Sequence, residues 1–250
     1  MIQLINVHKK IKNSFISKGI DLVIPAHKMT VIIGRSGEGK SLLLKQIMGL
    51  VKPTSGSILI DNKDITTLSE KECAPIFSQL GYVFQFAALL DSLNTFENIG
   101  IKLLLDGMPR EKVLAIVQEK LALVHLPQEV LWKYPSELSG GMRKRVGLAR
   151  TLTTNPSIIL YDEPTTGLDP ITTRVIHELM HDMQVKLNVT SVVISHDVEI
   201  FKYADHVALL HEGKIQYSGT ACDIWQTDNA HVHQFIHGLQ NGPIQAEWQL

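Results

Sequence analysis

The chain has 250 residues, enough for one domain, or one domain with an inserted lobe, to bury a sizeable core. Its 24 Lys and Arg against 25 Asp and Glu leave a net charge of -1, with no basic excess to indicate nucleic acid or an anionic membrane surface. At 44% apolar residues it reads as globular, and its apolar runs fall far short of the ~18 residues that span a bilayer.

In chain order, Ile2–Val7 and Gly19–Ile24 alternate apolar and polar residues and predict strands. Thr30–Ile33 is a continuous apolar run that ends at Gly34, as expected for a buried strand. A helical pattern follows over Ser41–Leu50, stopped by Gly49 and the Pro53–Gly56 turn. Ser57–Ile60 predicts a strand, Ser69 with Glu72 a capping box, and Gly81–Phe84 a further strand. From about Phe86 to Arg150 the pattern is helical, over Thr95–Leu105, Pro109–Val124 and Gly141–Leu152. Alternation then resumes, with strand Ile158–Tyr161, helix Thr172–Leu187 and strand Thr190–Ile194. His206–His211 and Lys214–Tyr217 form a hairpin around Glu212 and Gly213. The fold class is therefore α/β, a sheet with helices on its faces, interrupted by a helical lobe.

The N-terminus has no apolar signal core. Cys73 and Cys222 stand far apart with no metal-ligand spacing, so reduced thiols and no zinc are expected. His231 and His233 are two residues apart, which does not place them on one helical face.

Gly34, Arg35, Ser36, Gly37, Glu38, Gly39, Lys40 and Ser41 match G-x-x-x-x-G-K-[ST] between a strand and a helix. Glycines let successive backbone N–H groups turn inward around phosphate oxygens, and the following helix adds its positive end. Lys40 suits the β- and γ-phosphates of ATP, and the Ser41 hydroxyl suits Mg²⁺. Asp162 and Glu163 end the apolar run Ile158–Tyr161, on the carboxyl side of a strand where ligands of such sheets bind. Asp162 is placed to hold Mg²⁺ through water, and Glu163 to act as general base. The same Asp-Glu pair is also an ordinary strand end meeting solvent. Gln85 and His196 each follow a predicted strand, and alone either is a surface or capping residue.

The run Leu138-Ser139-Gly140-Gly141-Met142, followed by Arg143 to Arg150, resembles the signature of ATP-binding-cassette (ABC) ATPases. With it, the phosphate loop, Gln85, Asp162-Glu163, Gly167-Leu168-Asp169 and His196 stand in that family's order, over roughly residues 2–220. The resemblance implies a P-loop NTPase cassette with a RecA-like mixed sheet core, antiparallel β strands and an inserted helical subdomain at about 86–150. The nucleotide-binding domain would be 1–220, with 221–250 a C-terminal extension. It further implies that Gln85 senses Mg²⁺ and the transport partner, and that Ser139, Gly140 and Gly141 contact the γ-phosphate of ATP held by a second copy of the chain. Asp169 resembles the aspartate that couples the two sites, and His196 the switch histidine at the γ-phosphate. One departure is at the adenine: Ile11 stands where the family usually has a stacking aromatic, and the nearest aromatic is Phe15.

Without a membrane span, a transport cassette needs a separate integral permease, expected to dock near Gln85–Leu93. The apolar stretch Phe86–Leu93 suits that contact or the core of the lobe. The chain is then cytoplasmic and peripheral on the inner membrane through its permease. Met142 with Arg143-Lys144-Arg145, the segments Phe84–Asn98 and Tyr161–Ile171, and the tail Gln234–Pro243 resemble the ATPases of MCE-type phospholipid transport systems. That resemblance adds an MCE-type lipid-binding subunit and a small accessory protein as partners, and no nucleic acid. Phe235, Ile236, Leu239 and Trp248 give the tail an apolar face that either packs on its own domain or reaches a neighbouring ATPase. The competing readings are an amino-acid importer, a lipoprotein-release cassette, and a non-transport cassette of the iron–sulfur assembly type.

Overall fold

The computed structural model describes residues 1–245; Trp248 of the expected apolar tail lies outside the described residues. In chain order, β1 (Ile2–Ile11) and β2 (Ser14–Ile24) precede β3 (Met29–Ile33), α1 (Lys40–Ile47), β4 (Ser55–Ile60), β5 (Lys63–Asp64) and α2 (Glu70–Phe77). Then come β6 (Leu80–Val83), α3 (Thr95–Leu105), α4 (Arg110–Leu123), α5 (Gly140–Leu152), β7 (Ile158–Asp162) and α6 (Pro170–Leu187). The chain continues through β8 (Thr190–Ile194), β9 (His206–His211), β10 (Lys214–Thr220) and α7 (Ala230–His237). Two compact units emerge: Met1–Phe77 joined by the chain from Thr190 onward, and Ser78–Val189.

The first unit holds an antiparallel sheet, ordered β2-β1-β4-β5, and a mixed set ordered β10-β9-β3-β8. β3 runs parallel to β8 and β9, while β10 pairs antiparallel with β9. Every residue of β3 and β8 is buried, which is why both read as continuous apolar runs instead of alternating ones. Ile33, Leu43, Leu44, Ile47, Val193 and Leu209 form part of the core on which the phosphate loop stands. The β9–β10 turn presses on β2: the Lys18 amide donates to the Gly213 carbonyl at 2.8 Å. A Cβ on Gly213 would come within 2.3 Å of the Ile16 carbonyl oxygen, and its φ of 77° is one that glycine adopts freely.

The second unit pairs β6 with β7 in parallel and packs α3 on α4 and α5. Asn94 and Glu97 form a capping box at the start of α3, and Arg110 lies over the Phe96 ring at 4.7 Å.

Some boundaries differ from expectation. β1 and β2 reach the Lys12–Asn13 turn, well beyond Ile2–Val7 and Gly19–Ile24, because register shifts break their alternation at several points. α6 begins at Pro170 instead of Thr172, since Asp169 caps it. β5 has too few residues to carry a pattern. In the tail, Asn229 caps α7 and Gly238 ends it in the left-handed region. The chain then turns back: the Ile244 amide donates to Gln234 Oε1 at 2.7 Å, and Gln234 Nε2 donates to the Ile244 carbonyl at 2.8 Å. Val232, Gln234 and Ile244 are thereby buried, while Leu239 stays exposed.

Candidate functional site

In the first unit, β3 delivers the chain directly into Gly34 at the foot of the phosphate loop. A Cβ on Gly34 would meet the Leu210 carbonyl oxygen at 2.3 Å, so only glycine lets the loop leave the sheet this close to β9. Gly37 and Gly39 take positive φ values of 82° and 92°, and Ser36 and Gly37 are exposed. α1 starts at Lys40 with no side-chain cap and no acid in its first turn, which keeps its positive end open to an anion. The Lys40 side chain is buried and its Nζ donates to the Gly34 and Arg35 carbonyls at 2.8 and 2.6 Å. A glycine cradle, an uncapped helix start and an ammonium held on the loop's own carbonyls fit the phosphates of ATP. Ser41 occupies the first turn of α1. Ile11 ends β1 beside the hairpin turn and is exposed, as is Phe15 on β2. The β2 side chain recorded against the loop is Ile16, whose Cγ2 lies 2.7 Å from where a Gly39 Cβ would stand. His196 follows β8 and is exposed; next to it the Asp197 amide donates to Ser195 Oγ at 3.0 Å.

The second unit carries the other expected residues. Asp162 ends β7 and accepts from the Tyr82 hydroxyl at 2.8 Å. Burial, together with the hydrogen bond to Asp162 and its charge, pushes the Tyr82 phenol well above its ordinary range. Glu163 has φ 46°, and its Oε2 accepts from Gln85 Nε2 at 3.3 Å and Thr166 Oγ1 at 3.0 Å. Gln85 is fixed in turn: the Lys144 ammonium donates to its backbone carbonyl. Burial lowers the Lys144 pKa, and the charge of Glu163 pulls it back upward. Within this unit Gln85 and Asp162 carry hard oxygen donors, the chemistry that Mg²⁺ takes.

Ser139 caps α5 by accepting from the Met142 amide at 3.2 Å, so Ser139, Gly140 and Gly141 do open a helix. Gly141 faces α6, where its Cβ would meet Thr172 Cγ2 at 2.5 Å. Asp169 is the cap of α6 and accepts from the Ile171 and Thr172 amides, both at 3.0 Å. Of Phe86–Leu93, Phe86, Ala88, Leu90, Asp91 and Ser92 are exposed, and only Ala87 is buried. Among the described residues no helix is long and apolar enough to cross a membrane, and no cluster of His, Cys, Asp and Glu could hold a metal alone. Cys73 and Cys222 are free thiols.

Tyr82, Thr166 and Lys144 were not expected from the sequence. Each orients a residue that was, from 3 to 80 positions away.

Comparison with known proteins identifies the family. The family model "ABC transporter" matches residues 17–166. A probable ribonucleotide transport ATP-binding protein of Mycobacterium tuberculosis is 38% identical, over 97% of this chain and 68% of that protein. The methionine import ATP-binding protein of Carboxydothermus hydrogenoformans is 42% identical, over 82% of this chain and 61% of that protein. A dimeric ATP-binding cassette solved with ADP and phosphate after hydrolysis superimposes with a TM-score of 0.80 at 32% identity, covering 88% of this chain and 99% of that one. The cbiO1 cassette of Clostridium perfringens, part of an ABC transporter complex, gives 0.83 at 28%, covering 94% of each chain. Cassettes of this kind dimerise and pair with a membrane permease. On fold, on motif order and on these relatives, the chain belongs to the ABC transporter family, as an ATP-hydrolysing subunit whose nucleotide is ATP and whose metal is Mg²⁺.

Proposed function

We propose that this ATPase drives a separate integral membrane permease, and that the cargo is phospholipid moved between membranes. In the chemical step, the amides of Gly34–Ser41 and the Lys40 ammonium hold the phosphates, and Glu163 takes the proton of the attacking water. The donors on Glu163 Oε2, Gln85 and Thr166, orient that carboxylate. Mg²⁺, when bound by Ser41, Gln85 and Asp162, neutralises phosphate charge. His196 supports the γ-phosphate, and Ser139, Gly140 and Gly141 serve the nucleotide of a second copy. The subunit thus sits on the cytoplasmic side, held to the inner membrane by its permease.

The observation that carries the transport reading is the exposed apolar surface around Gln85. Phe84 is 47% exposed, Phe86 79% and Leu90 46%, three large apolar side chains left open within seven residues of one loop. A permease helix is the partner such a surface fits, beside the glutamine that faces the base. The cargo rests on the MCE-type resemblance of Phe84–Asn98, Tyr161–Ile171 and the Gln234–Pro243 tail, which also adds a lipid-binding subunit and a small accessory protein. The methionine-import relatives favour a second reading, an amino-acid importer.

Purification of the tagged chain from detergent-solubilised membranes of its own organism separates the two. Phospholipid transport predicts a co-purifying permease and MCE-type subunit with bound phospholipid. A permease with a soluble amino-acid receptor, and ATPase activity raised by the amino acid, would establish the importer instead.

A further inference from the structure

Glu38 is the only acidic residue within Gly34–Ser41, and it brings the wrong charge to a seat for phosphate. A loop built to bind anions through amides and an ammonium will also bind its own carboxylate. Glu38 is held elsewhere. His211 Nδ1 lies 2.7 Å from Glu38 Oε1, and the Glu212 amide donates to Oε2 at 2.6 Å. Both oxygens are thus engaged by the end of β9 and the turn after it.

That turn is itself fixed. The Lys18 amide of β2 bonds the Gly213 carbonyl and the Ile16 backbone lies close against Gly213, while the Leu210 carbonyl lies close against Gly34 at the other end of the loop. His211 is buried, its Glu38 contact is largely shielded from water, and its ring packs against His231 of α7 at 5.5 Å between centroids.

We propose that His211 and the Glu212 amide form a clasp that keeps the Glu38 carboxylate out of the phosphate seat, making His211 a positioning residue for nucleotide binding. The inference rests on Gly34–Ser41 being the nucleotide loop. Without the His211 donor, Oε1 loses its partner and the carboxylate turns to the loop's amides and Lys40, where it competes with the nucleotide.

Calorimetric titration of the full chain with MgADP, which is not consumed, tests this. His211→Ala is expected to weaken MgADP binding on the order of tenfold, the scale of one lost hydrogen bond to a charged group. Adding Glu38→Gln to that variant should restore most of the affinity, because the competitor is then neutral. His211→Phe, which keeps a ring against His231, should behave as His211→Ala and covers the case where the smaller side chain fails to fold. Unchanged affinity in either His211 variant, or a double variant as weak as the single, overturns the clasp: the second result would mean that His211 only supports the loop's structure. A wild-type chain that binds no MgADP would instead overturn the assignment of the loop.

Discussion

Asp169 closes the loop after β7 and opens α6, where it accepts from the Thr172 hydroxyl at 2.6 Å as well as from two amides. These bonds, the Thr172 hydroxyl foremost, hold its carboxyl below the ordinary value of 3.8. A depressed folded-state pKa means that the ionised form stabilises the fold. The contribution is complete above the ordinary value and is lost as pH falls through the lowered one. Asp169→Ala should therefore lower Tm by a few degrees at neutral pH, with the gap closing below about pH 4. Thermal melts of both proteins over that range check it; a gap that stays constant into acid would remove the charge from the explanation. The cap itself was hidden in the sequence behind Pro170, although an aspartate before a proline is a helix-start signal. Local signals of this kind, including the glycine spacing of Gly34–Ser41, can be read from neighbouring residues. The partners of Asp162 and Glu38 cannot, because Tyr82 and His211 lie 80 and 173 positions away. Nothing in a single chain says which distant strand end arrives beside them.

Among the elements, α5 meets α6 at Gly141, where the space for a methyl group is already taken by Thr172 Cγ2 at 2.5 Å. Overpacking a contact of this kind costs about 1–3 kcal/mol, so Gly141→Ala should lose stability in that range in urea unfolding despite the better helix propensity of alanine. A variant as stable as wild type would mean that α5 and α6 can separate freely. The glycine reads in the sequence as part of a signature, and its packing role is visible only once α6 is in place. Element type was legible where periodicity was long, as in α3 at Thr95–Leu105, or where a run was wholly buried and apolar, as in β8 at Thr190–Ile194. It failed where the pattern was short or broken. β5 has two residues, and β1 and β2 shift register in the middle of their pairing. α7 was obscured by its polar residues: its buried face is Val232 and Gln234, and the glutamine earns burial by bonding to Ile244.

For the whole molecule, the proposed head-to-tail arrangement makes Gly34–Ser41 half of a site that a second copy completes with Ser139–Gly141. The dimeric cassette solved with ADP and phosphate shows that such relatives pair. Glu163→Gln tests the arrangement, since an amide of the same shape cannot take the proton. Loss of a general base typically costs ~10²–10⁴-fold in rate, so turnover should collapse while MgATP remains bound, and the dimer should accumulate in size-exclusion runs with MgATP and disperse when EDTA removes the metal. The signature can be probed in the same background because its two glycines differ in the room around them. A Cβ on Gly140 makes only ordinary contact, 3.5 Å from Leu168, whereas Gly141 has no space. Gly140→Asp can therefore be accommodated with little repacking, yet it places a negative charge at the start of α5, where the partner's γ-phosphate is expected. Combined with Glu163→Gln, it should leave a folded chain that binds MgATP as a monomer. A dimer that forms just as readily would mean that the start of α5 does not meet the second nucleotide, and the paired arrangement would have to be built on another surface.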